Sequence, residues 1–282
     1  MPFDYLIEHG PVRSADELDW DAVSAYVRSR LDWLGPLTSV RQFYNGSANL
    51  TYLLDFDCQR LVVRRPPFGH IAAGSHDMAR EFRALSRLWQ HYDRAPRAYL
   101  LCDDTSLVGA SFLVVEYRQG QVVWGRVPPT MTHHQDVARR LAFAVVDALA
   151  ELHLLDPNAA GMSDLGRPVG FLNRQLAGWR KRWQATSQSA EVAEVERVAE
   201  ALAAGVPDSQ RVALLHNDFK IDNCQFDPGD PDRVKSVFDW DMATIGDPLV
   251  DLGIMLNYWP DPSESGDDPP IHPAGQETMG LP

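Results

Sequence analysis

"LLHNDFKIDNCQF", residues 214–226, is an apolar run broken by a dense patch of His, Asp, Lys and Asn and closed again by apolar residues. A second acidic stretch, "VFDWD" at residues 237–241, follows within a short distance. Both stretches sit at the ends of short β-prone runs, "RVALLH", "NCQF" and "VKSVFD", the last two bracketing the turn "DPGDPD". Hairpin geometry can bring those strand ends together. Asp239 and Asn223 then offer oxygen ligands to one hard cation, because magnesium takes a few carboxylate or amide oxygens and completes its shell with phosphates. Asp218 is left free to accept a proton from an attacking hydroxyl.

The chain upstream of this patch changes character once. Ser14 and Glu17 have capping-box spacing, and the apolar positions after them predict an N-terminal helix that ends at Gly35 and Pro36. "TSVRQFY", "LTYLLDF" and "RLVVRR" predict an antiparallel meander, followed by a loop, a helix over about residues 76–91, and the strands "RAYLLC" and "SFLVVEY". The expectation is an α+β fold whose first part, residues 1–117, holds five antiparallel strands and a helix. From residue 118 to 282 helical patterns dominate, at about 133–154, 171–186 and 190–204. A last helix is expected after Asp247 as cap and Pro248 as first helical residue. The Pro-, Gly- and acid-rich tail from about residue 260 has no periodicity and reads as irregular.

Composition narrows the function. The 282 residues are 45% hydrophobic, ordinary for a packed globular protein. Twenty-six basic residues against 39 acidic ones leave a formal charge of −13, and no basic block offers a footprint for a phosphate backbone, so nucleic acid is not an expected partner. The most apolar long segment, residues 141–155, is interrupted by Asp147, Glu151 and His153, which argues against a membrane span. Cys58, Cys102 and Cys224 match no zinc or redox spacing, and a cytoplasmic location is expected. Oligomeric state is not legible.

The pattern HxDxxxxN followed by a strand ending in Asp, here "HNDFKIDN" and then "VFDWD", resembles the aminoglycoside phosphotransferase and choline kinase-like family, distant relatives of protein kinases. The resemblance implies a two-lobed protein-kinase-like fold. It makes Asp218 the catalytic base, and Asn223 and Asp239 magnesium ligands, with Asp241 as a second acidic position. "FYNGSANLTYLLDF" looks like the hairpin over the phosphates, with Asn45, Gly46, Ser47 and Asn49 at its tip. "LVVRR" and "REFRALSRL" then make Arg64 the phosphate cation and Glu81 its anchor. "FLVVEYRQG" resembles the hinge, where backbone near Glu116 and Tyr117 meets the base of ATP or GTP. Asp251, in "GDPLVDLG", braces the catalytic loop in this reading. Lys220 stands where a charge can quiet the γ-phosphate or merely reach solvent, and the sequence leaves both open.

The resemblance covers about residues 40–258, and phrases such as "VVRRPP" and "DWDMATIGDPLVDLG" look most like the phosphotransferases related to kinase domains fused to acyl-CoA dehydrogenases. It implies a small-molecule hydroxyl acceptor: aminoglycoside-like, hydroxyacyl-CoA-like or an amino alcohol. Three departures stand out. Asn217 occupies a position usually held by Gly, Arg64 replaces the usual Lys, and the further helices that follow the Pro-rich segment in relatives are not expected here. The departures keep alive an alternative, a nucleotide-binding regulatory protein without turnover.

Overall fold

The computed structural model describes residues 9–44, 49–69, 76–124, 126–186 and 191–259. A six-stranded antiparallel sheet opens the fold. Its strands are β1 (His9–Gly10), β2 (Leu37–Phe43), β3 (Leu50–Phe56), β4 (Gln59–Arg65), β5 (Ala98–Cys102) and β6 (Phe112–Glu116), in the order β1-β2-β3-β4-β6-β5. This corrects the expected count of five. The extra strand is two residues long, pairing His9 with Phe43, and so short a segment carries no alternation to read.

Strand periodicity decides what each face of the sheet holds. Tyr52, Leu54, Leu61, Val63, Phe112 and Val114 bury one face under helix α1 (Trp20–Arg30), against Val23 and Val27. Leu53, Val62, Leu113 and Val115 point the other way, into a core shared with helix α2 (Met78–Leu88) and with the helical half of the chain. Each such apolar side chain contributes about 1.5–3 kcal/mol when fully buried. Arg64 follows Val62 by two residues, so the same alternation aims it toward the shared face.

Helix α1 starts later than expected. Ser14–Asp16 form a 3-10 turn, and Asp19 caps the helix by accepting from the Ala22 N–H at 3.0 Å. Ser14 and Glu17 form no capping box, and Glu17 accepts instead from the Trp20 indole.

The remaining elements are β7 (Gln121–Val122), α3 (Val137–Leu154), α4 (Phe171–Thr186), α5 (Glu191–Ala204), β8 (Ala213–Leu215), β9 (Cys224–Asp227), β10 (Asp230–Val237), β11 (Thr244–Gly246) and α6 (Leu249–Asn257). Asp247 caps α6 as expected, accepting from the Leu249 N–H at 2.9 Å, while Pro248 adopts helical angles. Antiparallel β10-β9-β7 form one small sheet and β11-β8 another. No helix among the described residues is long and apolar enough to cross a membrane.

The passage between the halves is tied down at Arg118. Its guanidinium donates to the Ala95 carbonyl and to Glu116 Oε2, and its own carbonyl accepts from Gln225 Nε2 at 3.1 Å. Gly120 lies against that glutamine, where a Cβ would stand 2.6 Å from Gln225 Cγ, so only glycine fits this approach.

Candidate active site

Two strand pairs assemble the centre. The pairing of β8 with β11 sets Leu215 opposite Thr244, and β9 with β10 sets Cys224 opposite Val237. The segment leaving β8, residues 216–223, is thereby laid beside the segment leaving β10, residues 238–243. His216 stitches them: its Nε2–H donates to the Phe238 carbonyl at 2.7 Å, while its Nδ1 accepts from the Asp218 N–H at 3.2 Å. Those two partners fix one tautomer of a fully buried ring.

Asp251, fully buried on α6, accepts from the His216 N–H at 2.8 Å and the Asn217 N–H at 2.7 Å, and His153 of α3 stands 3.1 Å from the same carboxylate. The aspartate braces the loop, as expected. Asn217 has φ 63°, the left-handed conformation in which glycine is the easiest residue, and its side chain secures the turn by donating to the Met242 carbonyl at 2.9 Å.

Asp218 emerges from this frame into the cleft. Asn223 Nδ2 donates to its Oδ2 at 2.9 Å and to its carbonyl at 2.8 Å. Lys220 Nζ lies 3.1 Å from the same Oδ2 and 3.8 Å from Asp222, so Lys220 turns inward rather than out to solvent. Burial works against the Lys220 charge, but Asp222 and Asp218 outweigh it and hold the ammonium above its ordinary range. Asp222 is pushed the opposite way, upward, chiefly by burial, and its Oδ1 is buried without a partner.

Opposite this cluster, Arg64 of β4 spans two acids. One guanidinium nitrogen meets Glu81 of α2, and the other meets Asp239 Oδ1 at 2.6 Å. Burial opposes the Arg64 charge, yet Glu81, Asp239 and Asp241 together raise its pKa above the ordinary value. For Asp239 burial acts upward, and Arg64 more than cancels it, leaving the carboxylate below its usual range. Glu81, fully buried, is pushed up to about 7 by desolvation despite the pull of Arg64. Asp241 is raised by burial and by its neighbour Asp239. Asp239 itself has φ 66°, a non-glycine residue in the left-handed region at the heart of the site.

These groups face one cleft of about 290 Å³. Asn49 and Arg64 line it from the sheet side, Glu81 from α2, Glu116 and Tyr117 from the end of β6, and Asp218, Lys220, Asn223 and Asp239 from the helical half. Asp241 sits just outside this lining, coupled electrostatically to Asp239. Asn45, Gly46 and Ser47 lie outside the described residues. Sequence reasoning missed Asp222, Gln225 and Trp124, which also line the cleft. A polar Gln between the apolar Cys224 and Phe226 is the signal that marks Gln225 beforehand; nothing comparable marks Trp124.

A magnesium ion suits these donors. Asn223 and Asp239 supply amide and carboxylate oxygens, and Asp222 Oδ1 is an unmatched buried acceptor beside them. No group of three or more His, Cys, Asp or Glu side chains among the described residues is placed to hold a metal by itself, so phosphates and water would complete the shell.

The sequence profile of the phosphotransferase enzyme family (APH) matches residues 39–272. The chain belongs to that family. Acyl-CoA dehydrogenase family member 11 of Gallus gallus is 32% identical over 225 residues, covering 79% of this chain and 28% of the chicken protein. The Rattus norvegicus protein of the same name is 30% identical over 267 residues, 92% of this chain and 34% of its own length. The chain therefore spans about a third of the length of these relatives. Among solved structures, a Ralstonia eutropha protein provisionally called an aminoglycoside phosphotransferase superposes with TM-score 0.73 at 27% identity, covering 94% of this chain and 77% of that one. The aminoglycoside phosphotransferase APH(4)-Ia, in a ternary complex with ADP and hygromycin B, shares the fold at TM-score 0.58 and 17% identity, covering 84% and 77% of the two chains. The fold is the two-lobed kinase-like one.

Proposed function

We propose that this chain is a small-molecule kinase that moves the γ-phosphoryl group of ATP or GTP onto a hydroxyl. The supporting observation is the convergence of Asp218, Lys220 and Asn223 with the Arg64–Asp239 pair on one cleft beneath the sheet. The nucleotide would lie between residues 1–117 and the helical part, 118–282, with its base at Glu116 and Tyr117. Complexes of relatives with ADP and with GDP support a nucleotide donor of either kind.

Asp218 is held at once by the Asn223 amide and the Lys220 ammonium, which keeps it oriented to take the acceptor's proton. The acceptor oxygen forms a bond to the γ-phosphorus as the bond to the β-phosphate oxygen breaks, the nucleoside diphosphate leaves, and the hydroxyl proton passes to Asp218. Arg64, steadied by Glu81, orients the phosphates, and Lys220 faces the charge that builds on the transferred group. Magnesium held by Asn223 and Asp239 supplies charge neutralisation when bound.

The acceptor is a small hydroxyl compound, with hydroxyacyl-CoA favoured by the acyl-CoA dehydrogenase relatives and aminoglycosides or amino alcohols next. Asp218→Ala is expected to keep nucleotide binding and lose turnover by about 10²–10⁴-fold, the usual worth of a general base. A mass-spectrometric screen for added phosphate on these acceptors is the test, and undiminished nucleotide consumption in that variant would sink the assignment. A regulatory nucleotide-binding protein is the second reading, favoured by the engagement of Asp239 with Arg64. It requires tight nucleotide binding and no product from any acceptor.

A further inference from the structure

We infer that His76 is a positioning residue of this cleft, acting through Asn49 on the phosphate groups of the bound nucleotide. His76 belongs to the loop between β4 and α2, which no sequence motif marked. Its place is firmly set. Its carbonyl accepts from the Met78 N–H at 3.0 Å, and the next residue, Asp77, caps α2 by accepting from the Arg80 N–H at 2.9 Å. One turn further along the same helix lies Glu81, the partner of Arg64.

The His76 Nδ1 lies 2.9 Å from Asn49 Oδ1. The amide oxygen only accepts, so Nδ1 carries the proton and donates. This bond decides which end of the Asn49 amide is engaged. With Oδ1 held by His76, Nδ2 is left at the cleft wall, buried and without a partner. An NH2 group only donates, so what completes it must be an acceptor, and the nearby Arg64 and Lys220 lining the same cleft make that acceptor an anion. If the amide were turned over, its oxygen would face the phosphates and repel them.

Two local costs coincide here. A buried donor without a partner is unfavourable. His76 also holds φ 57°, a backbone conformation that is unfavourable for a non-glycine residue and persists when its surroundings over-determine it. A bound phosphate oxygen would satisfy the donor, and the strained backbone is what carries the imidazole to Asn49.

This inference rests on the nucleotide-dependent reading above, and calorimetry on the whole chain with ATP, GTP and adenosine separates the two. His76→Gly relaxes the backbone but removes the donor, and is expected to weaken ATP binding about tenfold, equivalent to 1.4 kcal/mol, while adenosine binding holds. Asn49→Ala should do the same, and the double variant should be no worse than either single one, since both break one chain of contacts. His76→Asn keeps an N–H at the same branch and tolerates positive φ, so it should restore affinity to within about threefold. Thermal melts of each variant monitor folding. Additive losses, equal losses on adenosine, or full ATP affinity in His76→Gly would overturn the role of His76 alone. Absence of ATP and GTP binding in the unaltered chain would overturn the proposed function as well.

Discussion

The guanidinium of Arg64 joins Glu81, 17 residues away in sequence, to Asp239, 175 residues away, and so ties the sheet, helix α2 and the segment after β10 into one buried charge cluster. Removing one member of such a cluster leaves an uncompensated buried charge, which typically costs about 3–5 kcal/mol. Glu81→Ala is therefore expected to lower the urea midpoint clearly and to leave Arg64 on Asp239 alone. Spectroscopic unfolding measures the first effect and nucleotide titration the second.

Glu81 also predicts a pH dependence. Its folded pKa, about 7, lies above the ordinary carboxyl value of 4.5, so between those pH values the folded chain binds more protons than the unfolded one. Its contribution to stability therefore falls as pH rises from about 4.5 to 7. Asp239 behaves oppositely: its depressed pKa adds stability above the ordinary value of 3.8 that is lost as pH falls below it. Glu81→Gln should flatten the decline between pH 5 and 7 in denaturation curves, roughly the window set by the first shift. An unchanged slope would contradict the desolvated carboxyl.

Asp251 is a brace whose loss should reach catalysis indirectly. Asp251→Asn turns one acceptor into a donor facing the N–H groups of His216 and Asn217, with an expected destabilisation of about 2–4 kcal/mol by analogy with other broken buried networks. Activity should fall together with the melting temperature. A large activity loss at unchanged stability would show that Asp251 does more than hold the loop.

Asn217 separates backbone from side chain. Asn217→Gly relieves the left-handed strain but forfeits the bond to the Met242 carbonyl, so its net change is expected within about 1 kcal/mol. Asn217→Val loses the bond and adds a β-branched side chain at φ 63°, and should melt well below the glycine variant. Differential scanning calorimetry of the pair checks the order.

Lys220 stands against Asp218 at 3.1 Å and should matter more to turnover than to affinity. Lys220→Ala is expected to reduce kcat by about 10²-fold with a smaller change in KM for the nucleotide, as for loss of one charge-stabilising donor. An affinity loss without a kcat effect would place Lys220 at the ground-state phosphates instead.

Much of this protein was legible in its linear order. The β-prone character of "LTYLLDF" and "RLVVRR" is a local steric property, so it announced an antiparallel meander, and the spacing of "HNDFKIDN" and "VFDWD" announced the acids and amide that the hairpins bring together. Asp247 and Pro248 announced a helix start because capping is settled within one turn. Capping chemistry also misled once: Ser14 and Glu17 fit a motif, but the helix starts at Trp20 with Asp19 as its cap, and its Val23 and Val27 bury in one cluster with Val63 and Phe112. What only the tertiary structure decided concerns direction and pairing. Whether Lys220 reaches solvent or Asp218, that Arg64 bridges two acids, that Asp222 Oδ1 is buried, and that His76 engages the Asn49 amide all depend on segments far apart in sequence meeting across the cleft. Side-chain orientation and desolvation are set there by neighbours that no local pattern encodes.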